Sequence, residues 1–213
     1  MREKPVISII MRAYNAEETI ERAVGSVLGE KDFLDSCELI IINDGSKDNT
    51  LKLLENYKSN LVVKIINQEN CGAIMAANKG FKEARGEWIM ILDADDHLVP
   101  GALKIVFEAV RGNKDTDFIY FDYFEGWNNN FKQVSPKNVF ESLAGGMVVQ
   151  REKLALAGYW DPSLMFPEYD LILKNWGFWQ CKYVSIPLFY YNRRSDNLAI
   201  TSTNFNNTME TLK

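Results

Sequence analysis

The chain has 213 residues, of which 46% are hydrophobic and 12% are aromatic, so it is long enough to bury the core of one large globular domain. Its 24 basic and 29 acidic residues give a formal net charge of -5 without a long block of either sign, which argues against nucleic acid as the main partner. No apolar stretch approaches the length of about 18 to 20 residues that a membrane-spanning helix needs.

The first residues and the cysteines indicate the cellular surroundings. Residues 1–5 lead directly into a short apolar run, so we expect no secretory signal. Cys37, Cys71 and Cys181 are far apart in the sequence, which predicts neither a disulfide framework nor a zinc site. We therefore expect a soluble protein of the reducing cytoplasm, with at most peripheral contact with the inner face of the membrane.

The first half of the chain alternates short apolar runs with helical patterns, which is typical of β-α-β units around a mainly parallel sheet. We predict strands at 6–11, 38–42, 62–66, 88–92 and 118–124, and helices at 17–28, 50–58, 74–84 and 101–110. The predicted fold class is therefore α/β, Rossmann-like, with helices flanking the sheet.

Three of these strands end in polar segments, at 12–15, 43–46 and 93–96. Because the carboxyl ends of parallel strands meet at one edge of the sheet, we expect the three segments to lie close together and to bind a ligand. Asp93, Asp95 and Asp96 would repel one another there, so a divalent cation is the natural compensation. A solvated turn before the next helix is the alternative.

Glycine-rich phosphate loops are absent from the sequence, both the Gly-x-Gly-x-x-Gly and the Gly-x-x-x-x-Gly-Lys-Ser/Thr pattern. This argues against a dinucleotide-dependent redox enzyme and a P-loop kinase. A nucleotide held through a carboxylate-bound metal is the better interpretation.

Eight short segments occur along the chain in an order that is specific when they are taken together. They are 8–17 (SIIMRAYNAE), 41–46 (IINDGS), 78–80 (NKG), 92–96 (LDADD), 146–154, 158–161 (GYWD), 168–171 (EYDL) and 187–193. Together they resemble the family 2 glycosyltransferases of GT-A fold, over residues 6–194. The resemblance implies a single GT-A domain with a nucleotide-binding half at 1–96, a smaller acceptor-binding half at 97–194 and a C-terminal tail at 195–213. We expect the tail either to fold over the site or to fray.

The resemblance implies an inverting hexosyltransferase of polysaccharide biosynthesis. It would move a sugar from a nucleotide-diphosphate sugar, with UDP as the expected carrier, to a hydroxyl group of a glycan or lipid-linked acceptor. A divalent cation, Mn2+ or Mg2+, would be bound by Asp95. The implied nucleotide-sugar-binding residues are Ala13, Tyr14, Asn15, Glu17, Asp44, Asn78, Asp93, Ala94 and Asp95.

Within that set, the resemblance gives some residues particular positions. Asp44 would accept a hydrogen bond from the nucleobase of the donor. Tyr14 and Asn15 would border the nucleobase, and Asp93 would lie near the ribose. An ordinary Asp-Gly turn, with Asp48 capping the next helix, is the alternative explanation of Asp44.

The expected catalytic base departs from the family pattern. An acceptor hydroxyl group needs a carboxylate base, and the family usually has a Glu-Asp pair at the position occupied here by Pro167 and Glu168. Glu168 therefore takes the base position, with Asp170 as its neighbour and the alternative base. The structural alternative is that Glu168 only favours the start of a helix at 169–176.

A second departure lies before Asn78, where the family often has an arginine and this chain has Ala77. Arg12, at the end of the first strand, is a candidate for the missing cation. An exposed arginine at a strand end is the alternative, and the more usual one.

Other polar and aromatic residues have less definite expectations. Trp176 and Trp179 are expected to pack in the core, while Trp160 and Phe166 either pack or stack on an acceptor sugar. His97 is expected in a loop without a ligand role, although it follows the acidic segment closely enough to reach a metal. Residues 126–130 are expected to form a polar loop.

Two other functions remain open. A sugar-phosphate nucleotidyltransferase would need a basic glycine-rich loop near the N-terminus, which the sequence lacks. A non-catalytic nucleotide-sugar-binding protein would explain both Ala77 and the altered base motif. It would bind the donor without turnover.

Overall fold

Strands and helices alternate through the first half of the chain, and strands dominate the second. A computed structural model describes residues 3–193 except 114, 129 and 143–144. Its strands are β1 (Ile7–Ala13), β2 (Cys37–Asp44), β3 (Val63–Gln68), β4 (Trp88–Ile91), β5 (His97–Leu98), β6 (Phe118–Trp127), β7 (Asn130–Val134), β8 (Val148–Gln150) and β9 (Cys181–Asn192). Its α-helices are α1 (Ile20–Leu28), α2 (Thr50–Leu54), α3 (Ala73–Glu83), α4 (Ala102–Gly112), α5 (Arg151–Leu156) and α6 (Pro167–Lys174).

The described strands form one sheet in the order β3-β2-β1-β4-β8-β6-β9-β5, with β7 paired to β6. The first four strands of this order are parallel, as are β6 and β9. Strands β5, β7 and β8 run antiparallel to their partners. The predicted α/β fold with a mainly parallel sheet is confirmed. Both halves of the described chain contribute strands to this sheet.

Helices cover both faces of the sheet, and two hydrophobic clusters result. Along β1, Ile9 and Met11 pack with α1 and α4 on one face, while Ile10 packs with α3 on the other. This alternation follows from the two-residue period of a strand. Burial on both faces explains why the inner strands are continuous apolar runs in the sequence.

Some predicted boundaries shift, and one expected loop is wrong. β1 continues to Ala13 and β2 to Asp44, so these two polar segments begin inside strands. At 126–130 the chain forms a β-hairpin instead of a polar loop, because Trp127 ends β6 and Asn130 begins β7. Gly126 permits this pairing, since a Cβ atom there would lie 2.0 Å from the carbonyl oxygen of Asn130.

The described helices are too short or too polar to span a bilayer. None of those within 3–193, outside the omitted positions, is both long and apolar enough to cross a membrane. The predicted tail at 195–213 lies outside the described residues.

Candidate active site

The segments that follow β1 and β2 are tied together at the carboxyl ends of the strands. The Asn15 backbone N–H donates to the Ser46 hydroxyl oxygen at 3.0 Å, and the Lys47 backbone N–H donates to Asn15 Oδ1 at 2.8 Å. Asn15 has a φ of 48°, a conformation that asparagine tolerates better than most residues. Tyr14 is 49% exposed beside it, so its ring is available to a ligand.

Glu17 joins the starts of two helices. Its Oε2 accepts hydrogen bonds from the backbone N–H and the side-chain amide of Asn49, at 3.0 and 2.7 Å. The side chains of Ala13 and Ala94 are buried, so these two residues can offer a ligand only their backbone. Asn15 and Glu17, two of the predicted donor-binding residues, therefore also fix the conformation of the segments that follow β1 and β2.

Asp44 is buried at the end of β2 and is well supplied with hydrogen bonds. Its Oδ1 accepts from Gln68 Nε2 at 2.7 Å and from the Cys71 backbone N–H at 3.0 Å, and its Oδ2 accepts from the Gly72 backbone N–H at 2.9 Å. Burial opposes the charged form of Asp44, but these hydrogen bonds outweigh it and lower the pKa of the carboxyl group. Asp44 is therefore ionised at neutral pH and fixes the 68–72 loop at the sheet edge.

Arg12 extends from β1 to the acidic segment. Its Nε and Nη2 donate to the two carboxylate oxygens of Asp93, at 2.7 and 2.5 Å. Its guanidinium carbon lies 5.6 Å from the centre of the Trp160 ring, within range of a cation-π contact. The Arg12 side chain is only 16% exposed, so the expectation of an exposed arginine is wrong. Burial opposes its charge, but Asp93, Glu168 and Asp95 outweigh burial and raise the pKa of Arg12.

The end of β9 fixes the rest of the acidic segment. The Asn192 backbone N–H donates to Asp96 Oδ1 at 2.9 Å, and its side-chain amide donates to the Asp95 carbonyl oxygen at 2.6 Å. Burial, with the charges of Asp95 and Asp93, raises the pKa of Asp96 well above its usual range. The sequence analysis gave no role to Asn192, although it lies in the 187–193 segment of the family resemblance.

The acidic segment fits a shared cation rather than one enclosed by protein ligands. In the described part of the chain, no three His, Cys, Asp or Glu side chains are grouped so as to hold a metal. Cations of nucleotide sites, however, are commonly bound by one or two carboxylates, with phosphate oxygens completing the shell. Asp95 fits that arrangement. Burial is the main cause of the raised pKa of Asp96, and the charges of Asp95 and Asp93, which a cation would offset, add to it.

His97 lies in β5 rather than in the expected loop. Its ring stacks on Tyr190 with centroids 4.6 Å apart. Burial and the nearby charge of Arg22 lower the pKa of His97 to about 4, so its imidazole is neutral at physiological pH. Among the described residues, the buried Nδ1 atom of His97 has no hydrogen-bond partner.

Glu168 and Asp170 lie in the first turn of α6 in different surroundings. The pKa of Glu168 is raised, mainly by burial. The positive charge of Arg12 lowers this pKa, and the negative charge of Asp93 raises it. Asp170 instead forms an ion pair with Lys174 at 2.6 Å, one turn further along α6. Of the two carboxylates, Glu168 is therefore the one placed by its charge interactions beside Arg12 and the acidic segment.

Asn78 has a second role that the sequence did not indicate. Its side-chain amide donates to the Trp160 carbonyl oxygen at 2.7 Å, and its Oδ1 accepts from the Trp160 backbone N–H at 3.0 Å. Trp160 is 4% exposed and meets Phe81 edge-on, so its ring belongs to the core under Arg12. Trp176, in contrast, is 60% exposed, and the expectation that it packs in the core is wrong.

Comparison with known proteins gives consistent results. The family model described as glycosyl transferase family 2 matches residues 8–196. Chondroitin synthase from Escherichia coli is 34% identical over 191 residues, which cover 82% of this chain and 27% of that protein. Cholesterol galactosyltransferase from Borreliella burgdorferi is 26% identical over 183 residues, which cover 79% of this chain and 49% of that protein. The chain thus spans less than half the length of these two relatives.

Two solved structures share the fold. S. aureus TarS in complex with UDP superposes with a TM-score of 0.77 at 19% identity, covering 88% of this chain and 60% of that one. The mannosyltransferase PcManGT from Pyrobaculum calidifontis, in complex with GDP-Man and Mn2+, has a TM-score of 0.73 at 15% identity, covering 92% of this chain and 59% of that one. Both likenesses concern the fold alone.

Proposed function

Since the chain belongs to glycosyl transferase family 2, we propose that it transfers a hexosyl residue from a nucleotide-diphosphate sugar to a hydroxyl group of a glycan or lipid-linked acceptor, with inversion at the anomeric carbon. The observation that carries the proposal is the charge cluster at the strand ends. Glu168, which lies in the first turn of α6 and has a pKa raised by burial, interacts through its charge with Arg12 and Asp93 of this cluster.

In the proposed mechanism, Glu168 accepts the proton of the acceptor hydroxyl group. The hydroxyl oxygen attacks the anomeric carbon on the face opposite the diphosphate, and the bond from that carbon to the phosphate oxygen breaks. The bonding electrons leave with the nucleoside diphosphate. Single displacement with one attacking base and no protein nucleophile accounts for inversion.

Several residues would hold the donor. The nucleobase is proposed to bind at the ends of β1 and β2, where Tyr14, Asn15 and Asp44 lie. Asp93 is proposed to lie near the ribose. Asp95 would hold a divalent cation, which would supply Lewis-acid neutralisation of the leaving group. UDP is the proposed carrier, supported by the TarS complexes with UDP and UDP-GlcNAc, and GDP is the competing one, supported by the PcManGT complex.

Calorimetric titration tests the donor site. UDP, GDP and dTDP are titrated into the protein with Mn2+ and with a chelator, and the titrations are repeated for Asp95→Ala. We expect one nucleotide to bind only with the metal, and Asp95→Ala to abolish that binding. Glu108→Ala, an exposed carboxylate on α4, is the matched control and should bind as the unaltered protein does. Failure of all three nucleotides to bind under either condition would overturn the proposed function.

The assignment of Glu168 as the catalytic base is tested by measuring the release of nucleoside diphosphate from UDP-sugars and GDP-mannose. Water serves as the acceptor, so the true acceptor need not be known. Glu168→Gln should lower the rate by about 10²- to 10⁴-fold while nucleotide affinity is kept. Asp170→Asn should have a small effect, because Asp170 is paired with Lys174. A larger loss of rate in Asp170→Asn than in Glu168→Gln would assign the role of catalytic base to Asp170. Nucleotide binding without turnover in the unaltered protein would favour the alternative of a non-catalytic nucleotide-sugar-binding protein.

A further inference from the structure

A run of aromatic rings leads away from the proposed base along α6. Phe166 and Tyr169 have ring centroids 5.7 Å apart, Tyr169 and Phe140 are 6.1 Å apart, and Phe140 stacks on Trp176 at 5.4 Å. Glu168 is the direct neighbour of Tyr169 in the chain. The four residues Phe166, Tyr169, Phe140 and Trp176, here called the aromatic track, therefore connect the candidate active site with the far end of α6.

The aromatic track is open to solvent at its outer end. Phe166, Tyr169 and Phe140 are half-buried, and Trp176 is 60% exposed. Exposing a large indole ring is unfavourable unless something covers it part of the time. At a rise of about 1.5 Å per residue, the six steps from Glu168 to Lys174, the last residue of α6, span about 9 Å, and Trp176 lies in the turn that follows. A ligand of several sugar units would therefore reach both Glu168 and Trp176.

A cleft lies at this outer end. It has a volume of about 480 Å³ and combines two indole rings with polar side chains, among them Trp176, Trp179, Lys137, Asn138, Asn175 and Gln180. Pockets of about 300 to 1,000 Å³ that pair aromatic walls with a few polar groups are typical of small-molecule sites. The apolar C–H face of a pyranose ring packs on an aromatic ring, and its hydroxyl groups bind amide and ammonium groups.

We propose that the aromatic track and this cleft bind the non-reacting sugar units of an oligosaccharide acceptor whose terminal hydroxyl group lies at Glu168. This inference rests on the proposed function and deepens it, because it selects an extended glycan over a lone sugar as the acceptor. The continuity of the track with Glu168 argues for a glycan rather than a lipid surface. The amide side chains of Asn138, Asn175 and Gln180 in the cleft can hydrogen-bond the hydroxyl groups of a sugar, which the acyl chains of a lipid lack.

Calorimetry with defined oligosaccharides tests the proposal. Disaccharides and tetrasaccharides of N-acetylglucosamine and of chondroitin are titrated into the full chain in the presence of UDP and Mn2+. One tetrasaccharide should bind at least about tenfold more tightly than its disaccharide, because the longer ligand reaches Trp176. Trp176→Ala should remove that advantage and leave the disaccharide and UDP affinities unchanged.

Phe178→Ala is the matched control, since Phe178 is 80% exposed two residues further on and is not part of the aromatic track. It should keep the affinity for the tetrasaccharide. Equal binding of both lengths, no binding of either sugar, or an unchanged Trp176→Ala variant would overturn the proposal. So would loss of binding to vesicles containing anionic phospholipid in Trp176→Ala alone, which would assign the surface to a membrane. UDP binding in the same samples separates these results from failure of the proposed function.

Discussion

At the scale of single residues, the charge of Arg12 links the acidic segment with the proposed base. Arg12 pairs with Asp93 through two hydrogen bonds, and its charge also lowers the pKa of Glu168, which burial raises. A general base works only when deprotonated, so a raised pKa moves the acidic limb of the rate profile upward from the usual range of glutamate. Arg12 limits that upward movement.

Replacing Arg12 should therefore change the pH dependence of the reaction. In Arg12→Met the favourable cation is lost and Asp93 keeps an unpaired charge, and both effects raise the pKa of Glu168. The acidic limb of kcat/KM should move to higher pH, so the loss of rate should be larger at about pH 5 than at about pH 8. Nucleoside diphosphate release, measured across this range, provides the profile.

Arg111→Met is the matched control, because Arg111 lies over the Phe107 ring at 5.6 Å, the same distance as Arg12 over Trp160. Its profile should match that of the unaltered protein. A limb that stays in place or moves to lower pH in Arg12→Met would contradict the coupling to Glu168. An unchanged nucleotide Kd in that variant would separately exclude Arg12 as the substitute for the arginine missing at Ala77.

At the scale of elements, the contact of α3 with β1 explains one glycine of the 78–80 motif. A Cβ atom on Gly80 would lie 2.3 Å from Ile10 Cγ2, and Ile10 is fully buried between α3 and the sheet. The helix can approach the strand this closely only without a side chain at this position. The same helix carries Asn78, so its distance from the sheet also sets where the Asn78 amide meets Trp160.

Gly80→Ala should lower the free energy of unfolding by about 1 to 3 kcal/mol, because a fully packed core cannot accommodate the added methyl group without strain. Urea denaturation at constant pH measures the change. Gly25→Ala is the matched control in α1, where nothing apart from the neighbouring residues and backbone of α1 lies within 4 Å of the position that the added methyl group would take, and it should stabilise by about 0.5 to 1 kcal/mol. Similar effects of the two substitutions would contradict the close approach of α3.

At the scale of the whole molecule, the two predicted halves share one sheet and are joined by buried polar contacts. β8, from the second half, pairs with β4 beside the acidic segment. Asn78 and Trp160, 82 positions apart, exchange two buried hydrogen bonds. We therefore propose that residues 1–96 and 97–194 are regions of a single cooperative domain.

Asn78→Ala tests this cooperativity, because it leaves two buried backbone groups of Trp160 without partners, at a cost of about 1 to 3 kcal/mol each. Far-UV circular dichroism reports on the whole chain, and tryptophan fluorescence reports mainly on the second half, which contains Trp127, Trp160, Trp176 and Trp179. Both urea transitions should coincide and shift together. Asn113→Ala, which loses a single hydrogen bond to the Ala109 carbonyl oxygen, should shift them less. Transitions that separate in Asn78→Ala would indicate halves that unfold independently.

The sequence by itself determined the family and the fold class, and both predictions are confirmed. Strand periodicity, motif order and polar residues at strand ends are local properties, so they are readable from neighbouring residues. The positions of Asp44, Asp93 and Asp95 at one sheet edge follow from the same pattern, whereas their proposed roles in donor binding remain predictions.

Only the tertiary structure decided which distant residues meet. The strand-end pattern predicts that segments 12–15 and 93–96 share a sheet edge, but the pairing of Arg12 with Asp93, 81 positions apart, is seen only in the tertiary structure. The hydrogen bond between Asn192 and Asp96, 96 positions apart, follows from no local pattern. Whether Trp160 or Trp176 is exposed likewise depends on the elements packed around each ring, since each has both a polar and an aromatic residue within two positions in the sequence. Burial and long-range pairing are set by the packing of the sheet and its helices, which is why they escape a reading of the sequence alone.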